Sequence, residues 1–138
     1  MLVFCDTSAF YAVGNRYDEA HGTASRVWRC LLADDRCRLI TTNYVFLETF
    51  ALAQRRRGLQ TARSLAEALD DSVEVAFVDD SLHRTALKDC LDRGKRNLSL
   101  VDCVSFAFMR RLHIQTAFAF DRHFFDREFE SATKFLRA

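Results

Sequence analysis

Proline is absent from this chain, glycine occurs only four times, and no two of the five cysteines form a C-x-x-C pair. The missing proline carries no functional message. The cysteine pattern excludes more: Cys5, Cys30, Cys37, Cys90 and Cys103 are odd in number and lack metal-site spacing, against both a zinc site and a secreted disulfide framework. They read as apolar fillers in a reducing cytoplasm. No apolar run approaches the ~18 residues of a membrane span, and the amino terminus passes straight into a strand without a charged leader. A soluble, cytoplasmic protein with no membrane partner is expected. A large net charge is missing too: 20 basic and 19 acidic residues leave +1, so the chain as a whole exerts little pull on nucleic acid and local patches must supply any affinity.

What is present fits one domain over residues 1–138: 49% of the residues are apolar, enough for a real core without disulfides. No stretch looks like a linker, a repeat or a low-complexity segment. Leu2 to Cys5 reads as a strand, and Ala20, Ala24, Val27, Trp28, Leu31 and Leu32 have helical spacing. Arg38 to Thr41 reads as a second strand, followed by a helix capped by Thr42 or Asn43, running to Arg57 and stopped by Gly58. A helix around Ala62 to Leu69 precedes an alternating strand from Val73 to Val78. Asp80 or Ser81 then caps a helix to Arg93, ended by Gly94. Ser99 opens a helix to about Leu112, and Thr116 to Phe120 is the last strand. Strands alternating with helices favour an α/β fold with a mainly parallel sheet covered on both faces.

Four acids stand where these elements begin or end. Asp6 closes the first strand and precedes the helix starters Thr7 and Ser8; Asp121 follows the last strand. In open α/β sheets ligands bind outside the carboxyl ends of strands, so these two could meet. Asp102 sits in Ser99-Leu100-Val101-Asp102, a capping-box pattern opening a helix apolar nearly all round. Glu48 lies on the stripe Tyr44, Leu47, Glu48, Ala51, whose spacing predicts a core-facing side. A buried glutamate requires a partner, a proton or a metal. Each acid alone also fits a cap or turn; the four together suggest one carboxylate pocket. Basic residues cluster at Arg55-Arg56-Arg57, at Arg93, Lys95 and Arg96, and at Arg110-Arg111. Singly each reads as a solvated helix end, but two adjoin the acidic segments and could form a phosphate-gripping rim.

The blocks Val3 to Ala9, Asn43 to Thr49, Leu98 to Cys103 and Phe120 to Phe124 resemble, in order and over nearly the whole chain, the signature blocks of PIN-domain nucleases, and more specifically the VapC-type toxins of toxin-antitoxin pairs. The resemblance implies a three-layer α/β/α sandwich, a Mg2+- or Mn2+-dependent endoribonuclease, and a cognate antitoxin that blocks the site; a homodimer is also expected. It places the acidic quartet on Asp6, Glu48, Asp102 and Asp121, and the small polar companion on Ser8. Asp126 offers a second acid near the last block, and Cys103 stands where alanine is common.

The chemistry accounts for the acids. A phosphodiester resists attack by neutral water, so a hard cation is wanted to activate the water and neutralise growing charge. Mg2+ usually takes only one or two direct carboxylates. Asp6 and Asp121 are therefore assigned as direct ligands, with Glu48 and Asp102 binding directly or through water. Ser8 and Asn43 are candidates to orient a carboxylate or a bound water, or simply to cap helices. Arg55, Arg56, Arg93, Lys95 and Arg96 are the candidate RNA contacts. His123 reads as a packing or hydrogen-bonding turn residue, and His21, His83 and His113 lie outside the acidic blocks. Two other classes compete: a catalytically silent PIN-like binding module, and a phosphoacceptor receiver domain with Asp79 as the modified residue. Cys5 before Asp6 and Arg122 after Asp121 fit the receiver pattern poorly.

Overall fold

The computed structural model describes residues 1–126 and 128–137. Among these, β1 (Leu2–Cys5), β2 (Arg38–Thr42), β3 (Glu74–Ala76), β4 (Thr116–Phe118) and β5 (Glu130–Ser131) form one sheet in the order β3-β2-β1-β4-β5, with every pairing parallel. Parallel neighbours require crossovers. Helices α1 (Thr7–Gly14) and α2 (His21–Ala33) link β1 to β2, α3 (Asn43–Arg57) and α4 (Leu59–Ser72) link β2 to β3, and α5 (Asp80–Arg93) and α6 (Leu100–Arg111) link β3 to β4. The chain builds outward from β1 through β2 to β3, then returns to the other side of β1 to lay down β4. That reversal makes the carboxyl ends of β1 and β4 the topological switch point, where such sheets bind ligands.

The register decides which helix covers which face. Phe4 pairs with Ala117 and Cys5 with Phe118, and partnered residues of a sheet share a face while successive residues alternate. Phe4 meets Phe108 of α6 and Phe124, at ring separations of 5.9 and 6.2 Å. Phe118 instead stacks on Trp28 of α2 at 6.3 Å, and Trp28 receives the edge of Phe10 from α1 at 6.4 Å. The result is a three-layer α/β/α sandwich whose central strand is buried on both sides. Val3, Phe4 and Cys5 are wholly inaccessible, so truncating Phe4 to alanine would cost about 3–5 kcal/mol.

Local signals account for the element ends, with some corrections. Thr42 caps α3 by accepting the Val45 N–H at 3.2 Å, and Gly58 takes a positive φ of 90° beyond its end. Gly94 closes α5 in the left-handed region that favours glycine. The cap of α5 is Asp79, which accepts the Leu82 N–H at 2.7 Å, rather than Asp80 or Ser81. The third strand is shorter than its alternation suggests: it ends at Ala76, and Phe77 is 81% exposed. The last of the strands expected from sequence ends at Phe118, two residues early, and β5 has no recognisable sequence signal in its two residues. On α3 the core stripe is Val45, Thr49 and Ala53, not Tyr44, Leu47, Glu48 and Ala51; Leu47 is 69% exposed and Ala51 also faces solvent. Both stripes have helical spacing, and apolar periodicity fails to separate them because the buried side carries a threonine while the outer one carries a leucine.

Candidate active site

Asp6 follows β1 directly and is the N-cap of α1, in extended backbone conformation. Its Oδ2 accepts the Ser8 N–H at 3.1 Å and the Ser8 hydroxyl at 2.7 Å. Ser8 Oγ in turn accepts the Phe120 N–H at 2.9 Å, while the Asp6 N–H donates to the Phe118 carbonyl at 3.0 Å. Ser8 thus ties the first carboxylate to the segment leaving β4. Asp102 completes the expected capping box on α6: its N–H donates to Ser99 Oγ at 3.0 Å and its Oδ2 accepts the Ser99 N–H at 3.3 Å. Burial of Cys103, Val104, Ser105, Phe106, Phe108 and Met109 sets that helix deep against the sheet and fixes its first turn.

Asp121 caps a 3-10 turn (Arg122–Phe124), its Oδ1 accepting the His123 N–H at 3.0 Å. One ligand atom each from Asp102, Asp121 and His123 can be chosen so that all lie within 4.8 Å of one another. Glu48 is half-buried on α3 rather than in the core. Asp126 is exposed and stands in a neighbouring cleft.

Electrostatics link the acids. Burial, foremost, raises the Asp6 carboxyl to about 7; the Ser8 hydrogen bonds oppose the rise, and the charges of Asp102 and Glu48 add to it. Asp102 is raised by burial and then by Asp121, with Glu48 contributing and the Ser99 cap opposing. Asp102 is the common neighbour: its charge raises Asp6, and Asp121 and Glu48 raise it in turn, so acids from four segments of the chain are linked through it. The donors are hard oxygens supplied by groups whose anionic forms disfavour one another, which suits a divalent cation. The cysteines beside two of the acids are inert by comparison: burial drives the Cys5 thiol far upward and the Cys103 thiol to about 12.

Asn43 does something different from the other polar candidate. Its side-chain oxygen accepts the Val78 N–H at 2.8 Å, tying the start of α3 to the exit of β3. Arg93 and Lys95 line a cleft of about 480 Å³ together with Phe106, Arg110, His123 and Asp126. Arg96 is exposed beside them. Arg55 and Arg56 end α3, with the Arg56 guanidinium 5.6 Å from the Tyr11 ring centre on α1. Arg110 is held by Glu128, and Arg111 by Asp79 at 2.7 Å, the latter in a separate cleft of about 390 Å³. Asp79, ion-paired and capping α5, is committed to structure. The residue least visible to sequence reasoning is His123. Its only signal is the Asp-x-His spacing, which a tight turn folds onto one carboxylate.

The PIN domain model matches residues 3–130. The chain belongs to the PIN-domain family. Within it, this PIN domain is 39% identical over 124 residues to a Mycobacterium tuberculosis protein named 23S rRNA-specific endonuclease VapC20, covering 89% of this chain and 92% of the relative. The crystal structure of Mycobacterium tuberculosis VapC20, described as a Sarcin-Ricin loop cleaving toxin, superposes with a TM-score of 0.78 at 37% identity, over 88% of this chain and 92% of that one. VapBC2 from Rickettsia felis, bound to a DNA fragment from its promoter, shares the fold at a TM-score of 0.70 and 10% identity, over 95% of this chain and 98% of that one. VapBC-1 from nontypeable Haemophilus influenzae does so at 0.65 and 16%, over 96% and 99%. The resemblance to VapC-type toxins read from the ordered blocks is borne out, and the receiver reading is set aside. No helix among the described residues is long and apolar enough to cross a membrane.

Proposed function

We propose that this PIN domain, an endoribonuclease of the VapC toxin type, hydrolyses RNA phosphodiester bonds with Mg2+ or Mn2+ held by Asp6, Glu48, Asp102 and Asp121. The observation that carries the reading is that Asp6 and Asp102, buried carboxylates from separate segments, are both raised, by burial foremost and then by neighbouring acids, Asp6 to about 7. A bound divalent cation supplies Lewis acidity toward water and the phosphate. The chain's own residues do the rest. Ser8 fixes the Asp6 carboxylate through two hydrogen bonds, Ser99 fixes Asp102, and Asn43 acts by anchoring the start of the helix that carries Glu48. Arg93, Lys95 and Arg96 grip phosphates along the cleft beside His123, with Arg55 and Arg56 extending the contact from the end of α3. Ribosomal RNA is the substrate class we propose, on the strength of the name and similarity of the mycobacterial relative.

A cognate antitoxin is the proposed protein partner, inserting an arginine or lysine among the carboxylates in place of the cation's charge while covering adjacent apolar surface. A second copy of the chain, as a homodimer, is proposed too. The test is incubation of purified protein with ribosomal RNA and Mn2+ beside an Asp6→Asn control. Cleavage by the wild type alone, abolished by excess chelator, is expected. Equal cleavage by both, or full activity in chelator, sinks the metal mechanism; no cleavage by either points to a silent binding module. Expression of the chain alone should arrest growth of its host, and coexpression of the neighbouring small open reading frame should restore it.

A further inference from the structure

His123 occupies a position that packing alone does not explain. Its backbone N–H and its ring Nδ1 both approach the same atom, Asp121 Oδ1, at 3.0 and 2.9 Å. Only the first is a hydrogen bond: Nδ1 is buried from solvent yet has no hydrogen-bond partner among the described residues. A buried polar atom left in that state costs about 1–3 kcal/mol. If the ring proton is on Nε2, Nδ1 presents a lone pair to a carboxylate oxygen, and the two repel.

A cation between them removes the conflict. Adjacent ligands of an octahedral ion bonded at roughly 2.0–2.1 Å stand about 2.9 Å apart, which is the separation of Nδ1 and Oδ1. Asp102 supplies the third donor, since ligand atoms of all three residues fall within 4.8 Å of one another. We propose that His123 is a direct ligand of the catalytic cation through Nδ1, beside Asp102 and Asp121, and that this nitrogen makes the site prefer Mn2+ to Mg2+. The proposal rests on the reading of the acidic pocket as a divalent-cation site and adds a donor of a different kind. Mn2+ is lowest in the transition series in its affinity for nitrogen but accepts an imidazole more readily than Mg2+, which favours oxygen and retains its waters. The same ring lines the cleft that contains Arg93 and Lys95, so the ligand also joins the cation site to the surface proposed to hold RNA.

The test is electron spin-echo spectroscopy of Mn2+ bound to the full chain, with histidine labelled with nitrogen-15. A nitrogen coupling that changes with the isotope is expected, because a ligating imidazole nitrogen is bonded to the spin. It should vanish in His123→Gln, with Mn2+ affinity falling by more than the roughly 10–100-fold typical of losing an outer-shell partner and Mg2+ affinity, read by competition, falling less. A variant lacking the other three histidines, His21, His83 and His113, should keep the coupling; this arm decides the matter even if His123→Gln does not fold. Mn2+ bound in an Asp102-dependent manner but without nitrogen coupling overturns the assignment of His123 and leaves the acidic pocket standing, as does coupling that survives His123→Gln. Absence of Mn2+ binding, or binding indifferent to Asp102→Asn, overturns the pocket and the assignment together.

Discussion

The two ends of the acidic patch are built differently. At the β1 end, Asp6 is only 4% exposed, and the hydroxyl of Ser8 both donates to it and accepts the Phe120 N–H. At the β4 end, Asp121 sits half-exposed in a 3-10 turn, with a histidine nitrogen pressed against it that makes no hydrogen bond. The first end is satisfied by the protein itself and its geometry is set before any ligand arrives. The second is left incomplete, and it is there that the proposed cation would bind. The difference teaches where each kind of cost falls. Preorganisation at Asp6 is obtained by burying a carboxylate, so its cost is paid in fold stability; Asp121 is the more open of the two, as the proposed exchange of cation, water and phosphate requires.

The largest effect should come from breaking the preorganised end. Asp6→Asn preserves size and the ability to accept from Ser8 but removes the anion, so RNA cleavage should fall to background. The same change should stabilise the metal-free fold at pH 8, because it deletes a buried charge repelled by Asp102 and Glu48. A chemical-denaturation midpoint lower in the variant than in the metal-free wild type would contradict the repulsion.

Next in size is the pH dependence of the metal-free protein. Asp6 titrates near 7 in the fold against 3.8 for an unperturbed group, and Asp102 is displaced in the same direction. The folded state therefore binds more protons than the unfolded one between these values. The stability associated with the protonated acids is complete below about pH 4 and is lost as pH rises through about 7, a loss on the order of 4 kcal/mol from Asp6 alone. Melting temperature without cation should fall across that interval. The stabilisation added by saturating Mn2+ should grow over the same range, since ligands must be deprotonated to bind. A flat profile in either measurement counts against a shared pocket.

Much of this was legible in the sequence, and the parts that were not share a physical cause. Asp6 and Asp102 lie at helix starts, where capping chemistry marks position within a residue, and the capping box at Ser99 is formed as its pattern suggests. The order of strands and helices followed from periodicity. Glu48 was harder, because helical spacing gives a stripe without saying which of two neighbouring stripes is inward; the buried Thr49 hydroxyl, which donates to the Val45 carbonyl at 2.8 Å, made the true core face look polar. β5 has two residues, too few for alternation to register. His123 is visible only once the turn is folded, because its relation to Asp102 crosses two separate segments.

Ser8→Ala sharpens the comparison with a smaller effect. It removes the hydroxyl bond to Asp6, leaving only the backbone N–H bond, and leaves the Phe120 N–H without its acceptor, so we expect a loss of about 10–100-fold in cleavage rate and about 1–3 kcal/mol in stability. The loss should appear mainly in kcat if Ser8 positions the carboxylate rather than binding RNA. The smallest effect concerns the two clefts. Reversing charge at Arg93 and Arg96 should weaken RNA binding and reduce the slope of log affinity against log salt by about 2, one for each phosphate contact. Reversing Arg111, which lies in the other cleft and is paired with Asp79, should leave that slope unchanged. An unchanged slope in the Arg93, Arg96 variant would move the phosphate contacts to Arg110 and Arg111.

The central claim is that Asp6 and Asp121, from opposite ends of the chain, serve one cation. It is tested most directly by the melting temperature of the wild type and of an Asp6→Asn, Asp121→Asn double variant during titration with Mn2+ near pH 7.5. A ligand that binds only the folded state stabilises it by about 2.7 kcal/mol at a hundredfold excess over Kd, so the wild type should show a saturable rise of several degrees and the double variant essentially none. No rise in the wild type, or an equal rise in both, would contradict the account.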